Sequence, residues 1–493
     1  MGTDKRRAAN DGRGQEGTHG WSRRTFLAAG AAAAGCTAWM PRSAAAAVAA
    51  ERPVAPAGPG AQYRPVVKAA FVRRKGEYGM RWPGAIYDGE AARRMYHERI
   101  AATAKALDMD VDMREAPIHS LAEGEQWIAE AEGAHVDGLL VVLLDRQEHA
   151  WPTAAKAVGS AVPSVIFSPV GSSFTTNTAP LANKSGALIC ATDDFGQVAS
   201  ALKMIHAGAK LREARFIVLK GSERKDAAID RFGTKLRYVP AAAFLEEYQR
   251  TPVSDEVEAI ADSYLGLAQR TAGPTRQDVI NGVKSYVVAR TILEREEGDG
   301  ITMDCLGALG KSQVSLPCIA WSRMLDHGVP AACEADLGAC FTHALVLYLF
   351  DRPGFQQDPV ADTGDQTLIG AHCTCATCLE GVGQPPEPFF LSYHHGKRDA
   401  VPVPLWHEGR RVTVADVLLR RDAAPQMIIS AGEVVGNVAV PPAGGCVVSV
   451  KLRLDGVTEV LSYPGFHHIF FYGDHKRELA GFCQLHGIEP RVV

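Results

Sequence analysis

Seven consecutive apolar positions, Gly138-Leu139-Leu140-Val141-Val142-Leu143-Leu144, constrain this chain more than any other feature. Side chains of a strand alternate between its two faces. An unbroken apolar run therefore predicts a strand buried on both sides, the condition of a parallel sheet covered by helices. Neighbouring segments agree: Val66 to Val72 and Val162 to Phe167 read as strands, and Glu90 to Leu107 sets Tyr96, Ile100, Ala104 and Leu107 at helical spacing. This alternation predicts an open α/β domain over residues 66–185. A second is expected over 186–351, with strands at Ala187 to Ala191, Arg215 to Leu219 and Gly300 to Cys305, and helices near 240–268, 275–297 and 336–350. Beyond 352 the texture changes to short β-rich runs at 367–369, 389–393, 401–406, 411–414, 427–431, 445–452 and 468–472, closed by a helix over 476–486. Gly and Pro separate these runs, which predicts a β-barrel-like domain over 352–493.

Residues 1–50 follow another logic. Trp21-Ser22-Arg23-Arg24-Thr25-Phe26-Leu27 precedes an alanine-rich apolar stretch from Ala28 to Met40, and Arg42 closes it. An arginine pair before a short apolar segment is the layout of a twin-arginine export signal, with cleavage sites among the small residues 43–50. The expectation is passage through the twin-arginine machinery to a periplasmic or extracellular location. Cys36, after Ala34-Gly35, offers lipid attachment as an alternative anchor. Residues 51–65 read as a Pro/Gly linker.

Composition narrows the function classes. The formal net charge is −4 with no long basic run in the body, which argues against a broad nucleic-acid-binding face. Eleven cysteines in 493 residues are too few for a disulfide scaffold. No apolar stretch after residue 60 reaches the roughly 20 residues of a membrane-spanning helix. Neither GxGxxG nor GxxxxGK[ST] occurs in the α/β domains, so a nucleotide-binding reading has nothing to stand on.

Four places set metal-liking side chains beside glycines or strand ends: Cys333-Glu334-Ala335-Asp336, Gln356-Gln357-Asp358, Gly370-Ala371-His372-Cys373, and Gly465-Phe466-His467-His468. Each has a plain structural alternative. Glu334 and Asp336 suit the N-terminus of the following apolar helix, where acids favour the helix dipole. Asp358 before Pro359 suits a turn. His372 suits a hydrogen-bonded interior position. His467 and His468 alternate faces on an apolar strand, so at most one of them enters a given site.

Together these runs resemble the L-fucose isomerase and L-arabinose isomerase superfamily. The resemblance rests on Gly328-Val329-Pro330-Ala331-Ala332-Cys333-Glu334-Ala335-Asp336, Ala371-His372-Cys373-Thr374, Gly465-Phe466-His467-His468 and Tyr472-Gly473-Asp474-His475-Lys476-Arg477-Glu478-Leu479. It implies two N-terminal open α/β domains of flavodoxin/Rossmann type followed by a C-terminal β-rich barrel domain. It also implies a divalent metal, usually Mn²⁺, held by Glu334, Asp358 and His468, with His372 as the added ligand of the arabinose branch. Glu334 and Asp358 take the acid/base roles of an aldose–ketose isomerase, and a small sugar and a homo-oligomer are the implied partners. Two departures stand out: the export signal, and a body shorter than the full-length fucose enzymes. A non-catalytic sugar-binding protein of the same fold is the first alternative. The second is a thiolate metal centre on Cys373-Thr374-Cys375-Ala376-Thr377-Cys378, although the C-x-C-x₂-C spacing lacks a partner pair.

Overall fold

A computed structural model describes residues 51–493 apart from 77–78, 81–86, 147, 395–397, 421–422 and 441–445. The twin-arginine segment and Cys36 lie outside the described residues. The first unit is a parallel sheet. Its strand β1 (Val66–Val72) is followed by a small ribbon, β2 (Gly79–Met80) with β3 (Tyr87–Asp88), and then by β4 (Asp110–Met113), β5 (Gly138–Leu143), β6 (Ser164–Ser168) and β7 (Ala187–Ala191). The sheet order is β4-β1-β5-β6-β7, and every residue of β5 is buried, as its apolar run requires.

Strand β7 was expected in the second unit, but it pairs in parallel with β6 along Ser164–Ser168. Alternating pattern identifies a strand without saying which sheet edge it joins. The border therefore falls after β7, and the helix Phe195–Glu213 leads across to the second sheet. That sheet comprises β8 (Arg215–Leu219), β9 (Lys225–Ala228), β10 (Lys235–Val239), β11 (Gly300–Met303) and β12 (Ala331–Cys333), in the order β12-β11-β8-β10-β9. Only β9 runs antiparallel to its neighbour. The helix expected over 240–268 is two, Ala242–Arg250 and Asp255–Leu267, because Pro252 cannot continue the first and Ser254 caps the second.

The last unit contains a closed barrel of six antiparallel strands. These are β13 (Phe355–Asp362), β14 (Thr367–His372), β17 (Arg411–Leu418), β18 (Gln426–Asn437), β19 (Val448–Leu454) and β20 (His468–Tyr472). Their order is β17-β20-β13-β14-β19-β18, and the β17–β18 pairing closes the ring. A short β21 (Glu489–Val492) adds to β18 in parallel. The runs near 389–393 and 401–406 are not barrel staves. They form a separate hairpin, β15 (Phe389–His394) with β16 (Arg398–Pro404). It is held through Ala272 N–H to the Leu391 carbonyl at 2.7 Å and Leu391 N–H to the Arg270 carbonyl at 3.0 Å.

Strand β13 occupies residues where the sequence suggested only a turn. It pairs with β20 at 355–357 and with β14 at 358–362, so its neighbour changes at Asp358. Pro359 is tolerated because only one of its edges is paired there.

The helix Leu337–Phe350 is apolar all round and ten of its residues are buried. A helix of that kind must be covered on every side. It packs against β11 and β12, barrel strands β17 and β20, and the helix Phe195–Glu213. One core runs from Ile217, Tyr286 and Trp321 of the second unit to Phe355, Trp406 and Phe470 of the barrel unit.

Buried carboxylates tie the connections down. Asp299 accepts N–H from Gly60, Ala61 and Arg215 at 2.9, 2.6 and 2.8 Å, so the expected linker is pinned against the second sheet. Asp326, ending the helix Cys318–Asp326, accepts N–H from Thr377 and Cys378 at 2.7 and 2.8 Å and the Thr377 hydroxyl at 2.7 Å. This fixes the loop that leaves β14. Asp326→Ala leaves those donors buried without an acceptor and should cost about 3 kcal/mol of stability, read from the urea midpoint. In the C-terminal helix Lys476–His486, the His486 Nε2–H donates to the Met204 carbonyl at 3.0 Å, and burial pushes the imidazole down to about 4. The unfolded chain takes up that proton below its ordinary value of about 6.5 while the folded chain resists it. Stability should therefore fall as pH drops from about 6.5 toward 4, and His486→Gln should flatten that slope in urea titrations at stepped pH.

Candidate metal centre

The site assembles where the carboxyl end of β12 meets three adjacent barrel strands. Directly after β12, Glu334 and Ala335 both adopt left-handed backbone conformations, with φ of 62° and 53°. Non-glycine residues rarely hold such angles, and they gather at functional sites. The Ala335 N–H to Met303 carbonyl bond of 2.9 Å secures this turn. Asp336 then caps the helix Leu337–Phe350 by accepting the Ala339 N–H at 2.9 Å. Of the two acids expected near the helix start, Asp336 is the cap and Glu334 turns into the site.

Glu334, His372 and His467 form a group whose ligand atoms lie within 4.8 Å of one another, a set that could hold a metal ion. Glu334 Oε1 lies 3.9 Å from His372 Nε2, and Oε2 lies 3.7 Å from His467 Nε2. Asp358 Oδ1 stands 3.2 Å from His467 Nε2, at the point where β13 changes neighbours. Both histidines are buried, whereas the Glu334 and Asp358 side chains are 41% and 33% exposed. The centre thus has an imidazole floor and a carboxylate mouth open to solvent.

The sequence expectation brought Glu334, Asp358, His372 and His468 together. Glu334 and His372 do come together, Asp358 joins them through its contact with His467, and His468 stays apart. As the first residue of β20, His468 points to the other face, with Nδ1 at 3.1 Å from the Gln357 amide nitrogen and its Nε2–H donating to the Pro464 carbonyl at 2.7 Å. A one-residue step along a strand reverses the face, and here it exchanges His468 for His467. His467 precedes the strand with φ of 54°, which turns its ring into the site.

Gly465 makes that turn possible. Its φ is 85°, and a Cβ there would lie 2.5 Å from Ile428 Cδ1, 2.6 Å from Asp416 Oδ2 and 2.7 Å from His468 Nε2. No larger residue fits this approach.

Asp336 has a second task that the sequence did not reveal. Its Oδ2 accepts the His467 Nδ1–H at 2.8 Å, leaving Nε2 directed at Glu334 and Asp358. A carboxylate on the far nitrogen is the usual way a protein fixes the tautomer and angle of a metal-binding imidazole.

The electrostatics fit a cation. Burial lowers the His372 imidazole to about 4, so it stands neutral, as a ligand must. For His467 burial acts downward as well, but Asp336 and Asp358 outweigh it and raise the group to about 10. Burial acts upward on Asp358 and Asp336, yet His467 and His372 hold Asp358 below its ordinary range, and His467 with the backbone N–H groups of the helix start does the same for Asp336. Asp416, behind the Gly465 turn, is raised to about 7, chiefly by burial. Both ring nitrogens of His372 and Nε2 of His467 are buried without a hydrogen-bond partner in the protein. Buried polar atoms are almost always paired, and the two unpaired nitrogens of His372 with the free Nε2 of His467, beside Glu334 and Asp358, offer the donor types a divalent ion takes.

The three clustered cysteines do not converge. Cys375 is fully buried, the Cys378 sulfur meets the Thr377 hydroxyl at 3.9 Å, and Cys373 turns toward Cys446. Among the described residues, no cysteine belongs to a group close enough to hold a metal.

No protein-family model matches the chain, and no curated protein matches it. The geometry makes a direct prediction about the histidine pair. His467→Asn should abolish stoichiometric binding of a divalent metal, whereas His468→Asn should retain it and lower only the melting temperature. Metal analysis and calorimetric titration of both variants check this, and the opposite pattern would reinstate His468.

Proposed function

We propose that this protein is a metal-dependent aldose–ketose isomerase acting on a sugar, in the manner of the L-fucose and L-arabinose isomerase superfamily. The observation that carries the reading is the pairing of two solvent-reachable carboxylates, Glu334 and Asp358, with two buried imidazoles at one opening. Export through the twin-arginine pathway and assembly into a homo-oligomer belong to the same reading, on the strength of the sequence resemblance.

Glu334, His372 and His467 would hold the divalent ion, with Asp358 beside them. Hard carboxylate oxygens and borderline imidazole nitrogens suit Mn²⁺, Mg²⁺ or Zn²⁺ over soft metals, and the sequence resemblance points to Mn²⁺ among them. When bound, such an ion supplies Lewis-acid polarisation of a sugar carbonyl. The proton work falls to the chain's own groups. Asp358, kept ionised by His467 and His372, suits a base that draws a proton from the carbon next to the carbonyl. A proton must then be delivered to the neighbouring carbon to complete an aldose–ketose exchange through an enediol, and a base this open to solvent trades the abstracted proton with water before delivery. Glu334, with Oε2 3.7 Å from His467 Nε2, is the second carboxylate of the site and takes the other proton-transfer role in this reading. Asp336 stays out of the proton path. It holds His467 at a fixed angle, so that both carboxylates keep their places.

The test is isotopic. Metal-loaded protein incubated with a panel of aldoses in D₂O should place deuterium at C1 or C2 of the product. Glu334→Gln, which removes charge at nearly constant shape, should reduce that incorporation by about 10²–10⁴-fold. A metal-loaded protein that binds a sugar and exchanges no hydrogen would overturn the catalytic reading in favour of a sugar-binding protein of the same fold.

A further inference from the structure

Beside the metal centre lies a pair of thiols that the proposed reaction does not use. Cys373 is bonded directly to His372, at the end of β14. Cys446 precedes β19, whose Val448 is the register partner of His372. Their sulfurs stand 3.8 Å apart, a van der Waals contact between thiols. A disulfide would bring them to about 2.05 Å.

Exposure singles out this pair. None of the ten described cysteines is in a disulfide, and eight are buried. The exceptions are Cys378 and Cys446. The Cys378 sulfur has the Thr377 hydroxyl as its neighbour, whereas Cys446 has a second thiol. Cys305 and Cys333 also contact each other, but both are buried. An oxidant arriving from solvent thus meets, at Cys446, a reachable thiol with a resolving thiol already against it.

We propose that Cys373 and Cys446 form a reversible disulfide under peroxide, and that closing it loosens the metal centre. In the first step the Cys446 sulfur takes one oxygen from hydrogen peroxide, giving a sulfenic acid and one water. In the second the Cys373 thiol attacks that sulfur, forming the S–S bond and releasing a second water. Two thiols and one peroxide become one disulfide and two waters, with two electrons passing from the sulfurs to the peroxide oxygens. A dithiol reductant reverses the change by exchange. Drawing the sulfurs together puts the pull on Cys373, whose backbone is continuous with His372, one of the two buried imidazoles. This coupling rests on the metal-centre reading, whereas the disulfide itself does not.

The experiment uses the full chain. It is treated with about one equivalent of hydrogen peroxide, blocked with iodoacetamide, digested and mapped by mass spectrometry. The expected result is one cross-linked peptide pair joining Cys373 to Cys446, lighter by two hydrogens and restored by dithiothreitol. Titration with Mn²⁺ should then show affinity reduced at least about tenfold in the oxidised protein, as when a ligand's support is disturbed. In Cys373→Ser, which keeps Cys446 accessible, both the link and the affinity loss should vanish. Recovery of Cys373 and Cys446 as separately alkylated thiols would overturn the disulfide. A formed link with unchanged Mn²⁺ affinity would overturn the coupling, and a formed link in a chain that binds no Mn²⁺ at all would count against the metal centre alone.

Discussion

Asp336 joins the two halves of this molecule's chemistry. One of its oxygens receives the Ala339 N–H at the start of the central helix, and the other receives the imidazole N–H of His467 from the barrel. The helix start fixes the carboxylate, the carboxylate fixes the ring, and the ring directs its free nitrogen at Glu334 and Asp358. The remaining geometry follows from this chain of contacts. Glu334 reaches the same point because two consecutive left-handed residues reverse the backbone between β12 and the helix. Such conformations cost on the order of 1–3 kcal/mol each, so they persist only where surrounding bonds impose them. Here the Met303 carbonyl and the Asp336 cap do so.

The same arrangement sets the protonation of the site. A neutral His372 and a His467 charged between two carboxylates place positive charge where a cation would otherwise sit. In the chain alone, the proton on His467 Nε2 balances Asp358. With an ion bound, that proton must leave, because the ligand form of an imidazole nitrogen is unprotonated. An ion held by this group would thus have to compete with a proton for His467 Nε2.

Much of the fold was legible in the chain. The all-apolar β5, the amphipathic helix before β4 and the C-terminal helix Lys476–His486 stand where their patterns put them, since pattern and burial coincide. Three features were not readable. The placement of β7 in the first sheet depends on which edge was free, and local pattern does not carry that information. The hairpin β15–β16 has the texture of barrel strands, yet its partner is the segment at 270–272 rather than the ring. Strand β13 was concealed by Asp358-Pro359, a pair that normally marks a turn and is admitted here only because the strand changes neighbours. At the site, Glu334, Asp358 and His372 could be named only through the family resemblance, since each alone also has a plain structural reading. The choice between His467 and His468 hung on the direction of one turn, set by Gly465 against Asp416 and His468, and the role of Asp336 required a contact from 131 positions away.

The helix Leu337–Phe350 has a bearing on how this architecture can be divided. Apolar on every side, it is sheathed partly by the second sheet, partly by the barrel and partly by the helix Phe195–Glu213. Excising any one of these partners would strip a greasy flank bare and invite self-association, so the units are not interchangeable modules. Recombination or fragment design with this scaffold has to carry the helix together with all of its wrapping, and natural shuffling of the barrel onto other chains meets the same obstacle.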